Sequence, residues 1–280
     1  MFYQSPRRWS VVVCGLSLLV PALAAAAPIQ FQASGATAGD IQGTVDAFRA
    51  AIGDPNNGNA AGPLAGGRRE INWDGGGATT PSVTGAPILT AFQNSRGATF
   101  TTPGDVFAQA SPDDLALLQS QPGYATDFQT FSPERLFTPF GSNVTNVDFS
   151  LPGTGGTVDA TTSAFGAIFT DVDEPDTTTI ELFDFHGELL RTLFAPVADG
   201  GLSFVGVLFN AGEQISRIRI TTGNAALGVP DSQADVVAMD DFIYAEPAAV
   251  PEPATLVLSG MGLAGMWGRA LRRRCVNRQR

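Results

Sequence analysis

Six consecutive residues, Phe204-Val205-Gly206-Val207-Leu208-Phe209, constrain this chain more than any other stretch. Successive side chains of a strand point to opposite faces, and here both parities are apolar, so the segment must be covered on both sides. Ile218 and Ile220 instead alternate with Arg217, Arg219 and Thr221, the pattern of a strand with one face in water. A central strand and a surface strand follow. Further β-like runs lie at Gly97 to Thr101, Val106 to Ala110, Asn143 to Ser150, Ala164 to Asp171, Thr178 to Phe185, Glu188 to Phe194, Leu202 to Phe209, Ile215 to Thr221 and Val236 to Tyr244. Pro, Gly, Asn and Asp separate nearly all of them. Thr178 to Phe194 reads as a hairpin whose two-residue turn is His186-Gly187, the glycine supplying positive φ. The expected fold is all-β, an antiparallel β-sandwich with jelly-roll winding.

One helix is expected ahead of the strands. Ile41, Val45, Phe48 and Ile52 recur at helical spacing, with Asp40 as the N-cap and Gly53 as the stop. Ile29 to Ala38 is a short extended entry, and Asp54 to Gly67 is a loop of Asn, Gly, Pro and Ala. This divides the chain into residues 1–27, a loop-rich part with one helix at 28–95, a sandwich at 96–248 and a tail at 249–280.

Gly67-Arg68-Arg69-Glu70-Ile71-Asn72-Trp73-Asp74-Gly75 is the most chemically loaded stretch. As a strand it sets Glu70, Asn72 and Asp74 on one face and Ile71 and Trp73 on the other. Two readings stay open. Arg68, Arg69, Glu70, Asn72, Trp73 and Asp74 could bind a sugar or an ion, or Ile71 and Trp73 are core and the polar row is a solvated face tied by an Arg–carboxylate pair.

Charge narrows the function classes. The chain has 16 basic residues, all Arg, against 27 acidic ones; without Arg7, Arg8, the six tail arginines and Glu252, eight face 26, about −18. Nucleic acid is excluded as a partner, because phosphate binding needs a basic surface. Cys14 and Cys275 lie in the terminal segments, which leaves the body without disulfides. The body is long enough to bury one sizeable core without them. Its one histidine, His186, excludes a multi-histidine zinc site and ties any Ser-His-Asp triad to a residue expected at a turn tip.

The termini read as addresses. Arg7 and Arg8 precede an apolar run from Trp9 to Leu23 that leads into Ala22-Leu23-Ala24-Ala25-Ala26-Ala27, a secretory signal peptide for the Sec translocon. At the other end, Val250-Pro251-Glu252-Pro253-Ala254, an apolar run to Gly268 and Arg269, Arg272, Arg273 and Arg274 follow in order. These three parts resemble the PEP-CTERM sorting signal, with Pro251, Glu252, Pro253, Arg272, Arg273 and Arg274 as its marks. That resemblance implies recognition by an exosortase and passage to the bacterial cell surface or matrix. The fifteen residues from Ala254 to Gly268 cover about 22 Å of a roughly 30 Å hydrocarbon layer. They suit a transient inner-membrane anchor, with the arginines inside and residues 28 to 249 outside.

The body carries a second resemblance. The Gly67–Gly75 stretch, Phe131 to Phe137, Gly141 to Thr145, Phe165 to Asp173 and Asp240-Asp241-Phe242-Ile243-Tyr244 look like those of an uncharacterised group of secreted bacterial proteins, which implies no activity. The last block also resembles the closing strand of galactose-binding-like jelly rolls.

These features support an exported surface or matrix protein of structural or adhesive role, with surface polysaccharide as a partner class. A carbohydrate-binding module is the first alternative. A carboxylate-based glycan-active enzyme is the second, since acidic pairs abound. Calcium is the one cofactor the sequence suggests. Asp171, Asp173, Glu174 and Asp176 surround a Pro175 turn, Asp171 and Asp173 share a side of an extended chain, and Asp240 or Asp241 could complete the shell.

Overall fold

The computed structural model describes residues 27–75 and 80–250. The expected signal peptide, up to Ala26, and the sorting residues from Pro251 onward lie outside the described residues. In chain order the strands are β1 (Ile29–Gly35), β2 (Arg68–Ile71), β3 (Ser82–Val83), β4 (Ile88–Leu89), β5 (Ala98–Thr101), β6 (Val106–Ala110), β7 (Leu136–Phe140) and β8 (Val144–Phe149). They continue as β9 (Ala160–Thr161), β10 (Ala164–Val172), β11 (Thr179–Phe183), β12 (Leu189–Phe194), β13 (Ala198–Leu208), β14 (Arg217–Thr221), β15 (Ala238–Ala245) and β16 (Ala248–Ala249). Four helices intervene: α1 (Ala38–Ile52), α2 (Gln93–Arg96), α3 (Pro112–Gln119) and α4 (Tyr124–Asp127).

Two antiparallel sheets face each other. The larger runs β1-β13-β10-β15-β7-β6-β3, and the smaller runs β12-β11-β14-β8-β5-β4. The chain crosses between them repeatedly, from β7 to β8, from β10 to the β11–β12 hairpin, back to β13, out to β14 and back to β15, which is jelly-roll-like winding. Strand makes up 40% and helix 15%, the helix share lying well below the ordinary third of a globular domain. The all-β sandwich is therefore the fold.

The core has three parts. Between the sheets, Phe165, Ala167, Val205, Val207, Phe242 and Tyr244 of the larger sheet meet Val147, Phe149, Ile180, Leu182, Ile218 and Ile220 of the smaller. The outer face of the larger sheet is covered at one end by α1, whose Ile41, Val45 and Phe48 pack on Ile168, Phe204 and Ile243. At the other end Leu115 of α3 and Tyr124 of α4 cover Ala108, Leu136 and Ala238. All nine residues of β10 and all eight of β15 are buried for this reason. The doubly apolar Phe204–Phe209 run is explained in the same way: Phe204 turns toward α1 while Val205 and Val207 face the smaller sheet.

Glycine makes room for that helix. Gly166 of β10 pairs directly with Gly206 of β13, and the missing side chains form a hollow for the Phe48 and Phe204 rings, 5.4 Å apart. A Cβ on Gly166 would come within 2.7 Å of Phe48 and 3.0 Å of Phe204.

Several local expectations are corrected. Asp40 is not the N-cap of α1; Thr37 is, and Asp40, three residues on, accepts the Thr37 backbone N–H at 2.9 Å in a capping box. The β11–β12 turn is longer than His186-Gly187, because Asp184 and Glu188 close it and the Asp184 carboxylate accepts the His186 and Glu188 N–H groups. Gly187 does have positive φ, at 83°. From the segment 28–95, β1 pairs with β13 and β2 with β15 inside the larger sheet. The β7 strand carries Pro139, which argues against a central strand; it is accommodated because the edge facing β15 is paired only at Phe137↔Met239.

Gly166→Ala in the exported protein is expected to lower stability by about 1–3 kcal/mol through overpacking. Gly43→Ala, on the exposed face of α1 with nothing within 4 Å of the new Cβ, is expected to raise it by roughly 0.5–1 kcal/mol. Denaturant midpoints of the two variants should shift in opposite directions.

Candidate metal centre

Within β2 burial alternates, and the chain departs from the pleat only past its end. Arg69, not only Ile71, points inward, fully buried, and its guanidinium makes two hydrogen bonds of 2.7 Å with the Glu246 carboxylate. Arg69 also donates to the carbonyls of Gly58 and Ser95. Arg68 and Glu70 pair with each other at 2.6 Å, and Glu70 takes Arg49 at 2.8 Å. Asn72 is exposed. Past the end of β2 the backbone turns through Trp73 at φ 63°, which drives the indole between the sheets. There it stacks on Phe137 with centroids 3.8 Å apart and donates its Nε1–H to the Asp240 carbonyl at 2.8 Å. The expected row of Glu70, Asn72 and Asp74 on one face is thus broken up, because Asp74 lies beyond the strand and is buried.

Asp74 joins a first acidic cluster with Asp240 and Asp241. Two consecutive residues of β15, Asp240 and Asp241, fall where the β10 register passes from Phe169↔Met239 to Ala167↔Phe242, so the pair stands opposite Ile168 in a bulge. Ser132 Oγ lies 2.6 Å from Asp241 and 3.3 Å from each of Asp74 and Asp240. The Phe131 N–H donates to Asp240 at 2.6 Å and the Arg135 N–H to Asp74 at 2.9 Å, while Arg49 reaches Asp241 at 3.7 Å. Burial, then Asp241 beside it, pushes the Asp240 carboxyl well above the usual carboxylate range.

A second acidic cluster sits elsewhere, around Asp171. Between Thr170↔Leu202 and Val172↔Ala198 the β13 strand inserts Asp199-Gly200-Gly201 opposite Asp171 alone. Asp171 takes φ 68° and Gly200 φ 58°, and the Gly200 N–H donates to Asp171 Oδ1 at 2.8 Å. Carboxylate oxygens of Asp171, Asp173 and Asp199 lie within 4.8 Å of one another, and so do those of Asp127, Asp171 and Asp231. Asp127 ends α4, and Asp231 opens a 3-10 turn between β14 and β15. Burial pushes Asp171 up to about 8, with Asp231 and Asp173 adding to it, and pushes Asp173 up to about 7, with Asp231, Asp199 and Asp235 adding to it.

Of the residues expected to hold calcium, the structure brings Asp171 and Asp173 together. Asp176 is exposed in the turn at φ 67°, Glu174 is exposed and accepts the Asn224 side-chain amide at 3.0 Å, and Asp240 and Asp241 belong to the first cluster. Sequence reasoning missed Asp127, Asp199 and Asp231. Only Asp199 left a local sign, an aspartate before two glycines within a strand pattern, which marks a bulge.

Comparison with known proteins places the tail. Residues 249–274 match the PEP-CTERM protein-sorting motif. The motif implies processing by an exosortase and export to the bacterial cell surface or extracellular space. No curated protein and no solved structure matches the chain, so the resemblance of the body to a secreted family finds no support there. The motif starts at the last residue of β16, after every strand of the two sheets has been laid down.

The raised pKa of Asp240 has a sign. Its native form holds a proton that the unfolded chain releases above about pH 3.9, so the stability it contributes is complete below that pH and is lost as pH rises through the folded value. Asp241, Asp74, Glu70 and Arg49 are the charges around it. Asp240→Asn keeps an acceptor for the Phe131 N–H and cannot ionise. Its stability relative to the parent should therefore increase from pH 4 to pH 7 in urea melts, and a gap that stays constant with pH would contradict this assignment.

Proposed function

We propose that the exported body is a structural or adhesive component of the bacterial surface or extracellular matrix, carried out by the Sec translocon and released from a transient membrane anchor by an exosortase. The sorting motif carries the destination. The structural role is supported by how the loaded Gly67–Gly75 stretch is used: Arg68, Arg69, Glu70, Trp73 and Asp74 all bind within the protein. Trp73, Tyr124 and Tyr244, the amphipathic aromatics of the body, are each at most 1% exposed and offer no stacking platform for a sugar. Asp240 is fully buried, which leaves it no route to a substrate of a carboxylate-based enzyme.

Glycan binding is a second reading, and one observation favours it at a different place from the one expected. On the outer face of the smaller sheet, Glu181, Arg219, Asn146 and Thr101 are directly paired neighbours across β11, β14, β8 and β5. They line a groove of about 580 Å³ together with Thr102 and Thr221. Side chains at strand spacing, about 4.8 Å apart, present alternating donors and acceptors to a polyhydroxylated chain.

Two measurements test these readings. Intact mass of the protein recovered from its bacterial host is expected to lack the segment after Pro251-Glu252-Pro253, and a mature species still ending at Arg280 would overturn the release step. A glycan array probed with the same protein separates the roles: binding abolished by Arg219→Ala establishes the groove, and no binding leaves the structural role.

A further inference from the structure

The two acidic clusters differ in how their charge is met. Around Asp240 the carboxylates receive backbone N–H groups, a serine hydroxyl and Arg49. Around Asp171, among the described residues, no ion pair to an arginine reaches Asp127, Asp171, Asp173, Asp199 or Asp231. Asp171 is 1% exposed, and while its Oδ1 accepts the Gly200 N–H, its Oδ2 is buried without any hydrogen-bond partner. Asp173 Oδ1 and Asp231 Oδ1 are likewise buried and unpartnered. An unsatisfied buried carboxylate oxygen costs more than a lost hydrogen bond, and here several converge.

We propose that Asp171 is the shared ligand of a calcium site completed by Asp127 and Asp231 on one side and by Asp173 and Asp199 on the other. The donor set is all carboxylate oxygen, with no thiolate or imidazole, which selects a hard cation. The ligands come from α4, the end of β10, the start of β13 and the 3-10 turn before β15, and within each of the two trios that share Asp171 the carboxylate oxygens lie within 4.8 Å of one another. That irregular, adjustable arrangement fits six to eight oxygen ligands at 2.3–2.6 Å around Ca²⁺ better than the rigid octahedron of Mg²⁺. Backbone carbonyls and water supply the remaining positions. A cavity of about 250 Å³, lined by Gln121, Tyr124, Asp127, Asp231 and Ser232, opens beside the cluster and gives a hydrated ion its way in.

The ion would act as a staple. It joins four segments at one end of the sandwich in a body without a disulfide, and it replaces mutual repulsion among five carboxylates by attraction to one charge. The site extends the Asp171–Asp173 pair expected from the sequence to three residues distant in the chain.

The test uses the exported protein, melted in about 10 mM CaCl₂, in the same concentration of MgCl₂ and in EDTA, with calcium titrated calorimetrically alongside. At a hundredfold excess over a dissociation constant of about 10⁻⁴ M, typical of extracellular modules, the midpoint is expected to rise by roughly 5–10 °C in calcium over EDTA. Magnesium should give only a small part of that rise. Asp171→Asn keeps the acceptor for Gly200, should melt in EDTA at or above the parent, and should lose both the calcium rise and the binding heat. Asp199→Asn, an exposed ligand whose loss cannot unfold the core, should weaken the binding at least tenfold. Glu188→Gln, on an exposed turn, should change nothing. Equal midpoints in calcium, magnesium and EDTA overturn the proposal, and so does a calcium rise kept in full by Asp171→Asn and Asp199→Asn.

Discussion

Eight arginines among 26 acidic residues have to be placed with economy, and their placement governs the structure. Arg49, Arg68, Arg69 and Arg135 converge on the region where β2 meets β15, neutralising Glu70 and Glu246 and fixing the backbone around Trp73 and Asp74. The Arg69–Glu246 pair is the deepest of these contacts. A buried pair of this kind adds little net stability over an apolar substitute, but losing one partner strands a charge and costs about 3–5 kcal/mol. The same guanidinium satisfies two loop carbonyls, Gly58 and Ser95, so the long Asp54–Gly67 connection and the α2 segment are tied to the sheet through one side chain. The β2 strand is also held by its pairing along the second half of β15 and by Ile71 in the core, and Trp73 follows it to stack on Phe137.

The strands that read clearly in the sequence are those whose burial is uniform along their length. The run covered on both faces and the alternating Arg217–Thr221 strand appear as expected because periodicity reports burial directly. Elements missed are those whose stability comes from partners instead of pattern. The two-residue strands β3 and β4 exist through pairing with β6 and β5. The α3 helix has a short apolar stripe, Leu115 and Ala116, with Leu117 and Leu118 left exposed, yet Ser111 caps it by accepting the Asp114 N–H and Pro112 opens it. That Ser-Pro-Asp-Asp start was readable as a helix N-terminus.

At the candidate site, legibility failed for a different reason. Strand reasoning assumes an unbroken pleat, and all three functional stretches break it. Trp73 sits in the left-handed region just past β2, Asp240 and Asp241 share a bulge, and Asp171 faces a three-residue insertion in β13. Trp73 still reaches the core beside Ile71, as alternation assigns, but Asp74 after it is buried instead of staying in the polar row with Glu70 and Asn72. Asp171 and Asp173 were placed together by pleat parity, and the structure joins them in spite of φ 68° at Asp171, through the approach of Asp199 and Asp231 from other segments. Asp127 and Asp231 carry no local sign of their role, because only the packing of α4 and the β14–β15 connection brings them to β10.

The layering also decides which surfaces remain for partners. With α1 and the α3–α4 pair occupying the outer face of the larger sheet, the flat sheet face left open is the outer face of the smaller sheet, where Arg219 and Asn146 stand in register. Its edge strand β12 carries exposed Leu189 and Phe194, a pattern that invites pairing with another chain. That edge is partly guarded, since Arg191 of β12 donates to Gln30 of β1 at 3.0 Å and links the edges of the two sheets on the same side. A charged residue at such a position also resists addition of a further strand. The two faces of the sandwich thus differ in kind: the outer face of the larger sheet is covered by helices, while the smaller sheet leaves a row of paired polar side chains, Glu181, Arg219, Asn146 and Thr101, at its surface.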